Sequence, residues 1–206
     1  MPLVSNDPTR YINLSEIDFD ALKATFDKGR KATEAQKLRQ NLTFKLAQMV
    51  KLNRTRMDFL DEFQKLIDEY NAGSANVETF FAKLMAFTQK LNEEEKRGIA
   101  EQLSEEELVI FDLLTKPDIV LTKEEDRDVK KVAKTLLETL KREKLVLDWK
   151  KRQATRAAVF TTIEKVLDEG LPRTYTPELY GAKCEAVYQH VFESYQGLGK
   201  SLYATQ

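Results

Sequence analysis

Residues 30–71 read RKATEAQKLRQNLTFKLAQMVKLNRTRMDFLDEFQKLIDEYN, a long run without a single glycine or proline. Leu38, Leu42, Leu46, Met49, Leu60, Phe63, Ile67 and Tyr70 recur at helical spacing and hold one apolar face. Gly73 follows as a left-handed stop. Unbroken, such a helix would run about 60 Å at 1.5 Å per residue. That is long for a globular domain, so the stretch either bridges two lobes or bends near Asn53.

On both sides the chain continues in helical register. DFDALKATFDKG (18–29) sets Phe19, Leu22 and Phe26 on one face behind Asp18 as N-cap. Asn76 precedes VETFFAKLMAFTQKL, with Phe80, Leu84, Phe87 and Leu91 aligned, and Asn92 precedes a further helix EEEKRGIAEQL. Ser104 with Glu107, and Thr122 with Glu125, have capping-box spacing. The acidic runs 93–95 and 105–107 are read as helix openings, where the dipole favours negative charge. Beyond Thr122, Val129, Val132, Leu136 and Leu140 share a face. The segment KLVLDW is read as a break before a helix over 149–169. Thr176, with Pro177 at the first helical position, opens a last helix carrying Tyr180, Val187, Val191 and Tyr195.

No stretch alternates with period two between turn signals, so no strand is expected. The reading is all-α: a multi-helix bundle of about eight or nine helices, with one long helix bridging two lobes. It divides into a flexible lead-in over 1–11, a long-helix lobe over 12–74, a helical bundle over 75–197 and a tail over 198–206.

Composition narrows the function classes. The chain has 206 residues, of which 33% are charged and 42% hydrophobic, a balance typical of a folded soluble protein. No apolar run approaches the roughly 18–20 residues of a membrane span, and the first residues do not form a signal peptide. A cytoplasmic protein without membrane contact is expected. One cysteine, Cys184, and one histidine, His190, exclude an internal disulfide and make a metal site improbable. Charge is blocked: 28–56 hold nine Lys/Arg against one acid, whereas 57–128 hold nineteen Asp/Glu against eight Lys/Arg. Basic helices packing beside acidic ones account for this; so does a basic face meeting a polyanion or an acidic partner.

The lone tryptophan concentrates the second half of the question. LVLDWKKRQATRAAVFTTIEKVLDEGLP (145–172) places Lys150, Lys151, Arg152 and Arg156 beside Trp149. On one continuous helix, Trp149, Phe160, Ile163 and Leu167 share a face, and Arg152 and Arg156 extend it. Lys150, Lys151 and Lys165 then project to the other side as a solvated or nucleic-acid-facing surface. Arginine stacks on aromatic rings and its planar fork suits carboxylates, so Arg152 and Arg156 pair with acids inside the fold or meet a partner. Asn53 and Arg56 pose the same choice on the 30–71 stretch, with Arg54 pointing away. A polar pair in an apolar stripe marks a buried network or an interface.

Catalytic motifs are missing. There is no phosphate-binding GxxxxGK[ST], no GxGxxG after a strand, no HExxH and no GxSxG. Cys184 has no histidine in sequence reach to activate it. Pro117-Asp118 with Asp128-Val129-Lys130 satisfies the text pattern PD…(D/E)xK of many nucleases. That chemistry needs carboxylates on neighbouring strands around a divalent metal, whereas Asp118 is read in a turn, and Asp128 and Lys130 on a capped helix.

Three segments carry a family resemblance: NRTRMDFLDEFQKLIDEYNAGS (53–74), NEEEKRGIAEQLSEEELVIFDLLTKPDIVLTKEE (92–125), and VLDWKKRQATRAAVFTTIEKVLDEGLPRTYTPELYGAKCEAVYQHVFESY (146–195). They resemble the C-terminal helical region of the R subunit of type I restriction–modification enzymes, in the expected order and over roughly residues 12–197. The resemblance implies a piece of a large subunit whose nuclease and ATP-driven, Mg2+-dependent motor domains are not in this sequence. It implies a non-catalytic assembly role, docking that subunit onto the methyltransferase and specificity subunits, with no cofactor of its own and no catalytic residue carried over. Trp149, Arg152 and Arg156 are the leading partner-contact candidates. Arg54 and Arg56 form a second candidate patch, toward the motor domains; the motor and nuclease domains of the parent chain are both implied partners. The rival from another class is a helical module contacting double-stranded DNA through the 28–56 block and Lys150, Lys151. Against it, the basic residues of 28–56 wrap the helix instead of forming a stripe, and no aromatics interleave them.

Overall fold

The computed structural model describes residues 17–117 and 119–204; the lead-in expected over 1–11 and the turn expected at Asp118 lie outside them. The described residues form eight α-helices: α1 Phe19–Lys28, α2 Lys31–Leu52, α3 Met57–Asn71, α4 Val77–Glu101, α5 Glu105–Thr115, α6 Lys123–Thr139, α7 Gln153–Gly170 and α8 Pro177–Ser194. The all-α reading holds. Its one addition is a small antiparallel hairpin, β1 Tyr195–Gly197 with β2 Lys200–Ser201. It is too short for a period-two pattern to reveal.

Capping chemistry places the helix starts as the residue types dictate. Asp18 accepts from the backbone of Asp20 and Ala21, and Asn76 accepts from Thr79 N at 2.8 Å. Ser104/Glu107 and Thr122/Glu125 are complete capping boxes, and Thr176 caps α8 with Pro177 in its first turn. Gly73 sits at φ +73 after α3.

The chain divides into two compact units: residues 1–51 with 56–97, and residues 52–55 with 98–206. In the first, Leu38, Leu42, Leu46 and Met49 of α2 pack with Phe63 and Ile67 of α3 and with Phe80, Leu84, Phe87 and Leu91 of α4. Offset rings lock the contacts, with Tyr70 on Phe80 at 4.2 Å and Phe63 on Phe87 at 5.3 Å between centroids. Leu60, assigned to the apolar face, turns outward and is 39% exposed. In the second unit, Leu108, Ile110 and Leu114 of α5, Val129, Val132 and Leu136 of α6, Val159, Ile163 and Leu167 of α7, and Val187 and Val191 of α8 make the core, with Trp149 inside it.

The 30–71 stretch is not one helix. α2 ends at Leu52, and a 3-10 turn over Arg54–Arg56 leads into α3, so the bend near Asn53 is what occurs. Asn53 causes it: its Oδ1 accepts from Thr55 N at 3.0 Å and from Thr55 Oγ1 at 2.7 Å. A side chain that takes the backbone donor two residues on competes with helical hydrogen bonding. The long helix is instead α4, 25 residues, which runs straight through Asn92. The acids 93–95 therefore sit within a helix and do not open one. Asn92 Oδ1 accepts from Lys45 Nζ at 2.9 Å, so its side chain is engaged elsewhere and does not cap.

Candidate interaction surface

The basic stretch around the tryptophan is built by a change of helical pitch. α6 ends in a π-helical turn, Leu140–Lys144, closed by Leu145 N donating to Leu140 O at 2.9 Å. The wider turn lets Leu140 and Leu145, five residues apart, both face the core. From Leu145 to Arg152 the backbone is irregular, and α7 begins only at Gln153. Trp149 is therefore not on α7, and the shared helical face with Arg152 and Arg156 does not form.

Trp149 is fully buried. Its indole Nε1–H donates to Tyr195 O at 3.2 Å, and its ring meets Phe192 edge-on at 5.8 Å. With no exposed surface, it has none to present to a partner; it fixes the loop. Thr155 Oγ1 reaches Trp149 O at 2.5 Å, Arg156 Nη1 donates to Lys150 O at 2.6 Å, and Leu198 N donates to Leu145 O at 2.9 Å. Gly197, at φ +98, closes the latch. A Cβ there would stand 2.3 Å from Val146 O, so only glycine lets the hairpin approach the loop.

The basic candidates separate accordingly. Arg152 is exposed at the N-cap of α7 without a side-chain capping bond, while half-buried Arg156 is engaged with the loop. Lys150 lies over Phe192 at 5.2 Å and over Trp149 at 5.9 Å. Burial lowers its ammonium pKa, against the attraction of Glu193. Exposed Lys151 pairs with Asp148 at 2.9 Å.

Arg54 and Arg56 fall in different units. Arg54, 70% exposed, pairs with Glu193 at 2.9 Å. Arg56 is a core residue of the first unit, 2% exposed, with Nε donating to Glu94 Oε1 at 2.9 Å. Arg97 Nε takes Glu94 Oε2, also at 2.9 Å. Of the two alternatives for the polar pair in the apolar stripe, a buried network is what the structure shows. Asn53, fully buried, completes its own part in the second unit, donating through Nδ2 to Asp112 Oδ2 at 2.8 Å.

Residues 52–55 meet α8 and the chain end around the single histidine. Tyr203 OH donates its one hydrogen to Leu52 O at 2.7 Å, so His190 Nε2, at 3.2 Å, is the donor toward the tyrosine oxygen. His190 Nδ1 is left to accept from Ser194 Oγ at 3.4 Å. Burial pushes the imidazole pKa down to about 4; Glu193 opposes that and Arg54 adds to it. Because the folded pKa lies below the unfolded value, stability is retained above pH 6.5 and drains as pH falls toward 4. About 2 kcal/mol should be lost between pH 7 and 4.5 through this group. Chemical denaturation at the two pH values should show that difference shrink in His190→Gln; an unchanged difference would rule out His190 as its source.

Cys184 is buried within α8, and desolvation raises its thiol pKa. Asp128 and Lys130 lie on α6, with Lys130 paired to Glu101 and Asp126. Among the described residues no group of three or more His, Cys, Asp or Glu side chains is placed to hold a metal ion. No helix among them is long and apolar enough to cross a membrane.

Fold and surface together define a helical module whose irregular basic loop is clamped from within by a tryptophan. A family model described as type I restriction enzyme HindI endonuclease subunit-like, C-terminal, matches residues 7–200. The chain belongs to that family, and is thus a C-terminal domain of a type I restriction enzyme subunit. No curated protein and no solved structure matches the chain.

Proposed function

We propose that this chain is a non-catalytic assembly domain, docking the DNA-translocating nuclease subunit of a type I restriction enzyme onto its methyltransferase and specificity subunits in the cytoplasm. The observation that carries the reading is the family match over nearly the whole chain. The preorganised loop is consistent with it: backbone carbonyls of Leu145, Trp149, Lys150 and Arg152 are all held by internal donors. A loop fixed in this way binds with little further ordering cost. Arg152 and Lys151 are its exposed charges, Arg156 and Trp149 its supports, and Arg54 a separate exposed arginine. ATP and Mg2+ belong, on this reading, to the motor and nuclease domains of the parent subunit.

The test is calorimetric binding of the chain to the purified methyltransferase–specificity complex, at low and physiological salt, with and without DNA. Binding should persist at physiological salt and weaken about tenfold or more in Arg152→Ala plus Arg156→Ala. The DNA-track reading rests on the 28–56 basic block with Lys150 and Lys151. It predicts binding to DNA alone that falls steeply with salt, with none to the complex, and that result would replace the docking reading.

A further inference from the structure

β1 and β2 are joined by a two-residue turn, Leu198-Gly199, between the paired residues Gly197 and Lys200. Both turn residues have positive φ, +49 at Leu198 and +73 at Gly199. Tight hairpin turns of this kind favour Asn-Gly or Gly-Gly, because a branched side chain crowds its own backbone at positive φ. A leucine there is unfavourable locally and gains nothing from packing, since Leu198 is 64% exposed.

The cost recurs next door. Leu198 N is bonded to Leu145 O, and the two residues after Leu145 are also exposed aliphatics, Val146 at 46% and Leu147 at 67%. They are followed by Asp148, again at positive φ (+56). Two loops tied together by a backbone hydrogen bond and by the Gly197 contact thus expose three aliphatic side chains, and each loop carries a non-glycine residue at positive φ. A π-helical turn, a feature frequent at functional sites, leads directly into one of them.

Charge flanks Val146 and Leu147 along the chain. Between Lys141 and Arg152 the chain carries six Lys/Arg and two acids; the Arg142 side chain is 64% exposed and that of Lys151 74%, with Arg152 beside them. An apolar centre within a charged rim is the anatomy of a protein–protein contact. DNA phosphates would leave the aliphatics facing charge.

We infer that Val146, Leu147 and Leu198 form the anchor of the docking surface, and that their partner is a protein face with an apolar pocket rimmed by Asp and Glu. This rests on the docking reading and specifies its partner: an acidic-rimmed surface of the methyltransferase–specificity complex.

Leu198→Asn provides a test with two opposed readouts. Asparagine tolerates positive φ, so the melting temperature should equal or exceed that of the parent chain. Affinity for the purified methyltransferase–specificity complex should nevertheless fall about tenfold or more. Leu147→Ser, at an exposed site, should weaken binding likewise without lowering the melting temperature. Unchanged binding in both variants, while Arg152→Ala weakens it, would overturn the anchor and leave the docking role standing. A lower melting temperature in Leu198→Asn would overturn it too, by making the leucine structural. Absence of parental binding to the complex would remove docking and anchor together, as would Leu198→Asn losing affinity for DNA alone.

Discussion

Arg56→Met is expected to destabilise the fold by about 3–5 kcal/mol, because it leaves Glu94 without the guanidinium it was buried against. Arg56 and Glu94 are 2% and 9% exposed as side chains, so water replaces little of the lost interaction. Arg97, 22% exposed and still bonded to the carboxylate, should keep the loss nearer the lower bound. Attraction within such a pair is largely offset by its desolvation. Replacing both members, Arg56→Met with Glu94→Met, should therefore recover most of the stability. Denaturant midpoints of the two single variants and the double variant form the cycle that checks this. Additive losses would mean that the ion pair is not the unit of stability, whatever the individual values.

Trp149→Ala should cost about 3–5 kcal/mol, the usual range for emptying a buried large aromatic site. The damage should concentrate in the loop, because the same indole donates to Tyr195 O and packs on Phe192. Trp149→Phe retains most of the volume but loses the N–H donor, and should cost about 1 kcal/mol for the hydrogen bond plus a packing deficit. Trp149 is the only tryptophan, so the parent protein reports on itself. Its emission should be that of a water-excluded indole and should shift red as the second unit unfolds. A water-exposed emission in the native chain would contradict the burial on which this expectation rests.

Helix content was legible because its determinants are local. Asp18, Ser104, Thr122 and Thr176 cap where their side chains must, and the apolar faces of α3, α6 and α8 follow the 3.6-residue period. Distant partners decide what local pattern does not show. The bend at Asn53 is local, through Thr55, but the burial of its amide against Asp112, fifty-nine positions away, is not. Asn92 resembles a cap until Lys45 occupies its oxygen.

The candidate site was legible in composition but not in geometry. A helical wheel drawn through 149–169 assumes a helix start four residues too early, and that error put Trp149 and Arg152 on one face. The sequence does not single out the exposed aliphatics Val146, Leu147 and Leu198, because an apolar residue reads by default as core. The available signal was QGLGK, a leucine between two glycines, where turn chemistry competes with helix continuation.

Residues 52–55 group with residues 98–206 although they lie between stretches of the first unit. Dissection at the boundary between the two units, residue 97, would therefore yield an incomplete C-terminal piece. Its Asp112 would lack the Asn53 amide, Glu193 would lack Arg54, and the Tyr203 hydroxyl would lose its acceptor at Leu52. During synthesis the order is equally uneven. Leu52 is synthesised 151 positions ahead of its partner Tyr203 and must wait for it. Closing a loop of that length is entropically costly and slow. Contacts of the tail with Leu52 thus close late in the assembly of the unit, and trimming it should chiefly speed unfolding while leaving the folding rate little changed.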